Sequence, residues 1–80
     1  MIFVQGDPEG VVDVIFDKVG LDDLKIGLSH LEKKPDHTHF FSPTFGGWEL
    51  SEEEPSSGKF VVHKLTLRRV ESSPEADNQG

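Results

Sequence analysis

The sequence contains no cysteine among its 80 residues. This absence excludes disulfide bonds, thiolate metal sites and cysteine nucleophiles, and a small domain without disulfides fits a reducing compartment. Long apolar runs are also missing, since no stretch approaches the roughly 20 residues that a membrane-spanning helix needs. The first ten residues, MIFVQGDPEG, lack a basic segment and carry too short an apolar stretch for a signal peptide. We therefore expect a cytoplasmic protein without membrane association.

Basic residues are few, since the sequence has 8 of them and 15 acidic residues, and the formal net charge is −7. This balance argues against binding nucleic acid or an anionic membrane, since both depend on neutralising phosphate groups. It suits a basic protein partner, which a negative field would attract. It also suits solubility alone, and composition by itself leaves both explanations open.

Recognisable catalytic motifs are absent as well. The sequence has no nucleophile elbow, no phosphate-binding glycine loop and no metalloprotease helix motif. Its serines and histidines fall in no arrangement typical of a hydrolase, and a two-layer domain of this length offers a poor cleft. We therefore expect a protein that is not an enzyme and that needs no cofactor.

The spacing of apolar residues predicts a helical segment after a short first strand. Residues 1–5 are apolar and β-prone, which indicates a strand. Asp7-Pro8-Glu9 has the composition of a helix start, and apolar residues recur with helical spacing between Val11 and Val19. Leucines at helical spacing then continue over residues 21–34, before Pro35. The pattern predicts one helix that resumes after a break, or two helices.

The second half of the chain predicts strands and a polar tail. Residues 36–41 and 59–70 read as strands, and residues 48–50 as a brief extended piece. Together with the first half, this predicts a two-layer α+β domain over residues 1–70, with a small, mostly antiparallel sheet of three to four strands and one or two helices on one face. Residues 71–80 are predicted to be a disordered acidic C-terminal tail. Such a small sheet leaves edges exposed, and a homodimer is one way to cover an edge.

The segment from His37 to Glu54 carries two histidines that invite a metal hypothesis. His37 and His39 are two residues apart on a predicted strand, so both imidazoles project from the same face. His63 is predicted on the facing strand, and histidine ligands suit zinc. A small metal- or ligand-binding module that uses His37, His39 and His63 is therefore one hypothesis. The alternative is that all three are ordinary strand histidines.

The same segment also combines aromatic and acidic side chains. Four aromatic residues, which cannot all be buried in so small a core, are Phe40, Phe41, Phe45 and Trp48. An exposed aromatic with acidic neighbours is typical of an interaction hot spot inside a polar rim. The acids are Glu49, Glu52, Glu53 and Glu54, and a solvated loop explains them equally well. Trp48 follows two glycines, so it either points outward or caps the open end of the core.

Three stretches of the sequence, QGDPEG, DHTHFFSPTFGGWELSEEE and VVHKLTL, resemble the immunity protein 32 family of bacterial polymorphic toxin systems over residues 2–70. One difference is that Phe45 stands ahead of the glycine pair, where the family often has tryptophan. The resemblance implies a non-catalytic cytosolic antidote that binds and neutralises a cognate, basic toxin domain. The partner-binding residues that it implies are His37, His39, Phe45, Trp48, Glu49, Glu52, Glu53 and Glu54.

Overall fold

The computed structural model describes residues 1–71 of the chain, which contain five strands and one α-helix. The elements are β1 (Ile2–Gly6), β2 (Val12–Phe16), α1 (Lys18–Ser29), β3 (His37–Phe41), β4 (Phe60–Val61) and β5 (Lys64–Arg68). The strands form two antiparallel sheets, one ordered β2-β1-β4 and the other β3-β5. The predicted small α+β class is confirmed, with the strands divided between two sheets. The predicted tail lies outside the described residues, except for Glu71.

The predicted helix start at Asp7 is wrong, because this segment is the turn of a β-hairpin. The Asp7 carboxylate accepts hydrogen bonds from the backbone N–H groups of Glu9 and Val11, at 2.9 and 3.1 Å. Gly10 has a φ of +97°, a left-handed conformation that ends any helix. An aspartate and a proline serve a turn as well as they serve a helix cap. The β-branched residues that follow then favour a strand, and β2 pairs with β1 along its whole length.

The helix begins ten residues later than predicted, and it is a single helix. Asp17 is its N-cap, and the side chain accepts a hydrogen bond from the Gly20 N–H at 2.9 Å. The same carboxylate forms an ion pair with the N-terminal ammonium group of Met1. The helix ends at Ser29, short of the predicted end at Lys33-Lys34. Asp17 thus fixes both the start of the helix and the end of the chain beside it.

The buried side of α1 differs from the predicted leucine stripe. Gly20 and Gly27 are its buried residues, and a Cβ at Gly27 would come within 2.7 Å of the Phe40 ring. Leu24 packs against the core as predicted, whereas Leu28 is exposed. Close approach of the helix backbone to its neighbours therefore sets the rotation of the helix.

The single strand predicted over residues 59–70 is broken into β4 and β5 at Val62 and His63. The Val62 N–H donates to the Val4 carbonyl at 2.9 Å, and the His63 carbonyl accepts from the Ser42 N–H at 3.0 Å. The break carries the chain from one sheet to the other, and it shifts the alternation of buried side chains. The residues of this segment that pack against the core are Val62, Leu65 and Leu67.

The core is small and lies where β1, β3 and α1 meet. Its buried members are Ile2, Val4, Phe40 and Leu50. The segment 48–50 is not a strand, so it adds no fourth strand to a sheet, yet Leu50 is fully buried and its N–H donates to the Phe41 carbonyl at 3.1 Å. Among residues 1–71, no helix has the length and apolarity that crossing a bilayer requires.

Candidate binding surface

Residues 42–54, called the acidic loop below, leave β3 in a tight turn. The Ser42 carbonyl accepts hydrogen bonds from the N–H groups of Phe45 and Gly47, at 2.9 and 3.0 Å. Gly46 has a φ of +84°, which favours glycine, and a Cβ on Gly47 would collide with Phe41. The two glycines are thus required for different reasons, the first for its conformation and the second for space.

Glu49 clamps the loop to β3. One oxygen of its carboxylate accepts from the Trp48 N–H at 2.9 Å, and the other accepts from the Phe41 N–H at 3.3 Å. The hydrogen bond from the Trp48 N–H is the main reason that the pKa of Glu49 is lowered. Glu49 was predicted to contact a partner, but its carboxylate is engaged in holding the loop backbone.

Glu52 clamps the other side of the same turn. Its Oε1 accepts from the Thr44 N–H at 2.7 Å and lies 3.5 Å from Nδ1 of His63. Hydrogen bonds from Thr44, from its side chain first and then from its backbone, lower the pKa of Glu52 to about 2, and the Ser42 hydroxyl and His63 add to the effect. The carboxylate is therefore ionised at neutral pH and acts as a backbone cap.

Ser42, His63 and Glu52 together have the composition of a hydrolytic triad, but their geometry does not serve that chemistry. The Ser42 Oγ lies 2.7 Å from the Nδ1 of His63, and Glu52 approaches that same nitrogen. In a catalytic triad the serine and the acid use opposite nitrogens of the imidazole. The Ser42 side chain is also completely buried, so it cannot meet a substrate. The three side chains instead fasten the acidic loop to the break between β4 and β5.

Two aromatic side chains stand out from this bonded framework. The Trp48 side chain is 85% exposed and Phe45 is 57% exposed, whereas Phe40 is buried in the core. This confirms that the aromatic residues of the segment are not all buried, and Trp48 points outward. The Phe45 ring stacks on the His63 imidazole with a centroid distance of 5.5 Å. Beyond them, Glu53 and Glu54 are exposed.

His37 and His39 share one face of β3, as predicted, and their ring centroids are 4.7 Å apart. The row continues to Phe41, whose ring centroid lies 5.6 Å from that of His39. Burial lowers the pKa of His39, and the nearby charges of Lys64, His37 and Arg68 lower it further. Because Phe41 directly precedes Ser42, this row of side chains borders the acidic loop.

His63 does not join the other two histidines in a ligand cluster. It contacts Ser42, Phe45 and Glu52, while the Nδ1 of His39 lies 2.9 Å from the Thr66 hydroxyl. Within residues 1–71, no group of three or more histidine, aspartate or glutamate side chains is placed to hold a metal ion. Sequence reasoning missed the bracing role of His63, because its partner Ser42 is 21 residues away and no local pattern links them.

Compared with protein-family models, with curated proteins and with solved structures, the chain matches none of them. The resemblance to immunity protein 32 thus stays a prediction from short motifs. Any function assigned to this chain therefore depends on its own geometry, above all on the exposed residues of the acidic loop.

Proposed function

We propose that this protein is a non-catalytic immunity protein that binds and neutralises a basic toxin domain in the cytoplasm. The observation that carries the proposal is the exposed Trp48 side chain on a loop whose backbone is bonded internally. A large aromatic residue at 85% exposure is poorly placed for stability, but well placed as the anchor of an interface. Because Glu49 and Glu52 hold the loop on both sides of the turn, the anchor is ordered before binding, which lowers the entropy cost of association.

Phe45 supports Trp48 as a second apolar contact. Its ring is held flat against His63, with an interplanar angle of 17°, so one face remains available to a partner. Aromatic anchors of this kind account for most of the affinity of an interface, while the surrounding polar contacts exclude water. The loop therefore offers a rigid aromatic pair within an acidic rim.

The acidic residues divide into two roles in this proposal. Glu49 and Glu52 hold the loop, because their carboxylates are occupied by backbone N–H groups. Glu53 and Glu54 are exposed, and among residues 1–71 they form no ion pair. With a net charge of −7 behind them, they would attract a basic domain and increase its association rate. His37 and His39 border this surface rather than form its centre.

The experiment that tests the proposal is affinity capture from a lysate of the cells that make this protein. Three tagged proteins are compared, namely the natural chain, Trp48→Ala and the control Val19→Ala, which removes an apolar side chain that is 64% exposed on α1. We expect one basic protein with the natural chain and the control, and its loss with Trp48→Ala. Equal capture by all three proteins would reject the acidic loop as the binding site.

The charge component has its own test once the captured protein is purified. We expect the double substitution Glu53→Lys and Glu54→Lys to slow association by roughly tenfold or more at low salt, with a smaller effect at high salt, because the loop charge steers the encounter. If the association rate changes neither with the substitution nor with the salt concentration, Glu53 and Glu54 play no part in attracting the partner. If no protein is captured but zinc raises the melting temperature, the metal-binding alternative at His37 and His39 replaces this proposal.

A further inference from the structure

One face of β2 carries an apolar row that the core does not cover. This row, called the β2 ledge, consists of Val12, Val14 and Phe16, which are 60, 39 and 45% exposed. Val14 and Phe16 pair with Val4 and Ile2 of β1, so they face the same side of the sheet as those two fully buried residues. The apolar surface of the core thus extends from β1 onto β2, where its side chains are exposed to solvent.

The backbone of β2 also presents an open edge. The Asp17 N–H donates to the Met1 carbonyl and the Asp7 N–H to the Val11 carbonyl, so hydrogen-bonded pairs alternate inward from both ends of the hairpin. By this alternation Asp13 and Ile15 bond to β1, and the ledge residues direct their N–H and C=O groups outward. Within residues 1–71, β2 has β1 as its sole neighbouring strand.

The other edge of β1, by contrast, is hydrogen-bonded along its length. The Ile2 carbonyl accepts from the Ser51 N–H at 2.7 Å, and the Val4 carbonyl accepts from the Val62 N–H at 2.9 Å. Those contacts and β4 close that edge with backbone from later in the chain. The β2 edge is weakly protected for an exposed strand, because its five residues contain no lysine, no proline and no bulge, and Asp13 is their single charge.

Charge decides what kind of partner fits this edge. The single acid of β2, Asp13, forms an ion pair with Lys59 at 3.2 Å and accepts from the Gln5 amide at 3.1 Å. Lys59 also lies 3.4 Å from Asp7, so it offsets the charge of Asp13 only in part, but the three ledge residues themselves carry no charge in a protein with a net charge of −7. A basic partner has little to attract it here, whereas two acidic copies repel each other least where their surfaces are neutral.

We propose that β2 pairs with β2 of a second copy, antiparallel, about a two-fold axis that passes beside Val14. In this register Val14 lies opposite Val14 of the second copy, and Val12 lies opposite Phe16 of the second copy. The outward N–H and C=O groups of the three ledge residues then form six hydrogen bonds, and the two three-stranded sheets become one continuous sheet of six strands.

The apolar area available suits this arrangement. Val11 and Ile15, which are 47 and 44% exposed, add apolar area on the other face of the same edge. Together with the ledge they present roughly 400 Å², which is about half of the ~800 Å² that each partner buries in a standard interface.

The register makes a sharp cross-linking test possible, because the natural chain has no cysteine. A cysteine at Val14 meets its own copy at a Cα separation of about 5.5 Å, within the range of a disulfide. A cysteine at Val12 meets Phe16 instead and lies about 14 Å along the strand from its own copy. Under mild oxidation in dilute solution, we expect Val14→Cys to form a disulfide-linked dimer at least tenfold faster than Val12→Cys. Equal rates, or no cross-link in either variant, would reject the register.

Sedimentation of the uncross-linked protein tests the dimer itself. We expect the natural 8.9 kDa chain to sediment at twice its monomer mass at about 100 μM, a concentration at which a weak homodimer forms. Val14→Lys places two like charges at the axis and should be monomeric, whereas the control Val19→Lys, on α1, should remain dimeric. A natural chain that is monomeric at this concentration, or a Val14→Lys dimer, would overturn the proposal. If circular dichroism shows that Val14→Lys fails to fold, the comparison of Val14→Cys with Val12→Cys decides whether the dimer forms.

Discussion

The acidic loop and the β2 ledge, for which we propose two different partners, differ in what their backbones do. In the loop, the N–H groups of Thr44, Phe45 and Trp48 are all bonded within the chain. At these positions the side chains, and not the N–H groups, are left to meet a partner. On the ledge the side chains are apolar and unremarkable, and the backbone itself has outward groups to offer.

This difference separates two kinds of recognition. A surface that presents rigid side chains selects a partner with complementary pockets and charge, so it suits a specific foreign domain. An open strand selects little by itself, and a second strand of the same chain satisfies it through symmetry. Charge distinguishes the two surfaces, because the loop is acidic while the ledge side chains are uncharged and the Asp13 carboxylate beside them is paired with Lys59. In our proposals one small chain therefore holds both contacts without competition between them.

The largest expected effect comes from removing the anchor of the loop in the core. Leu50 is fully buried, and Leu50→Ala should lower the free energy of unfolding by about 2–5 kcal/mol through lost burial and the cavity left behind. Ile26→Ala, at a position that is 57% exposed, should stay within about 0.5 kcal/mol. Urea denaturation of both variants measures the contrast. A loss below about 1 kcal/mol for Leu50→Ala would mean that the loop is not fastened to the core.

Several features of the fold were readable from the sequence because their causes are local. The apolar runs at the start of the chain and around His37 to Phe41 gave β1 and β3, and the two-residue spacing of His37 and His39 placed them on one face. The small core and the surplus of aromatic residues in the acidic loop made an exposed aromatic necessary. These conclusions needed no knowledge of which segments meet.

The errors arose where one local pattern serves two structures. Asp7-Pro8 can start a turn or a helix, since in both the Asp7 carboxylate accepts from the Glu9 N–H, and the pairing of β2 with β1 decides between them. The rotation of α1 follows from contact between Gly27 and Phe40, which are distant in sequence. The position of His63 depends on the break that moves the chain between sheets. Such features depend on tertiary contacts, and a single sequence does not display those.

Fluorescence gives the next largest effect and sharpens the contrast between the surfaces. Trp48 is the only tryptophan, so its emission reports on the acidic loop alone. Because the side chain is 85% exposed, we expect an emission maximum and an acrylamide quenching constant close to those of the unfolded chain. Raising the protein concentration through the range of the proposed dimerisation should leave both unchanged, while binding of the proposed toxin domain should shift the emission to the blue. A blue-shifted emission in the dilute protein alone would place Trp48 against the core instead.

A smaller effect concerns Glu52 and acid. Its folded-state pKa of about 2 lies below its ordinary value of 4.5, so folding favours the ionised form. The stabilisation is present above about pH 4.5 and is lost as the pH falls toward 2. Glu52→Gln should therefore lose less stability than the natural chain over this interval. The measurement is urea denaturation at several acidic pH values.

The matched control for that experiment is Glu53→Gln. Glu53 carries the same charge and adjoins Glu52, but it forms no hydrogen bond or ion pair among residues 1–71. It should follow the acid profile of the natural chain, which still loses stability because other carboxylates, such as Asp17 and Glu49, also have lowered pKa values. Identical profiles for the Glu52 and Glu53 variants would show that the cap on Thr44 adds nothing to stability.

The smallest expected effect decides how acidic the loop surface is at neutral pH. Burial, Lys64, His37 and Arg68 hold the pKa of His39 below its ordinary value of 6.5, so folding favours the neutral imidazole. That contribution to stability is present above pH 6.5 and is lost as the pH falls through the folded-state pKa. NMR titration of the imidazole should show the lowered value, and Lys64→Gln should raise it by removing one neighbouring charge. If the pKa of His39 instead lies above 7, the row beside Phe41 is cationic at neutral pH. It would then offset the charge of Glu53 and Glu54, and electrostatic attraction of a basic domain to this side of the molecule would be much weaker than we propose.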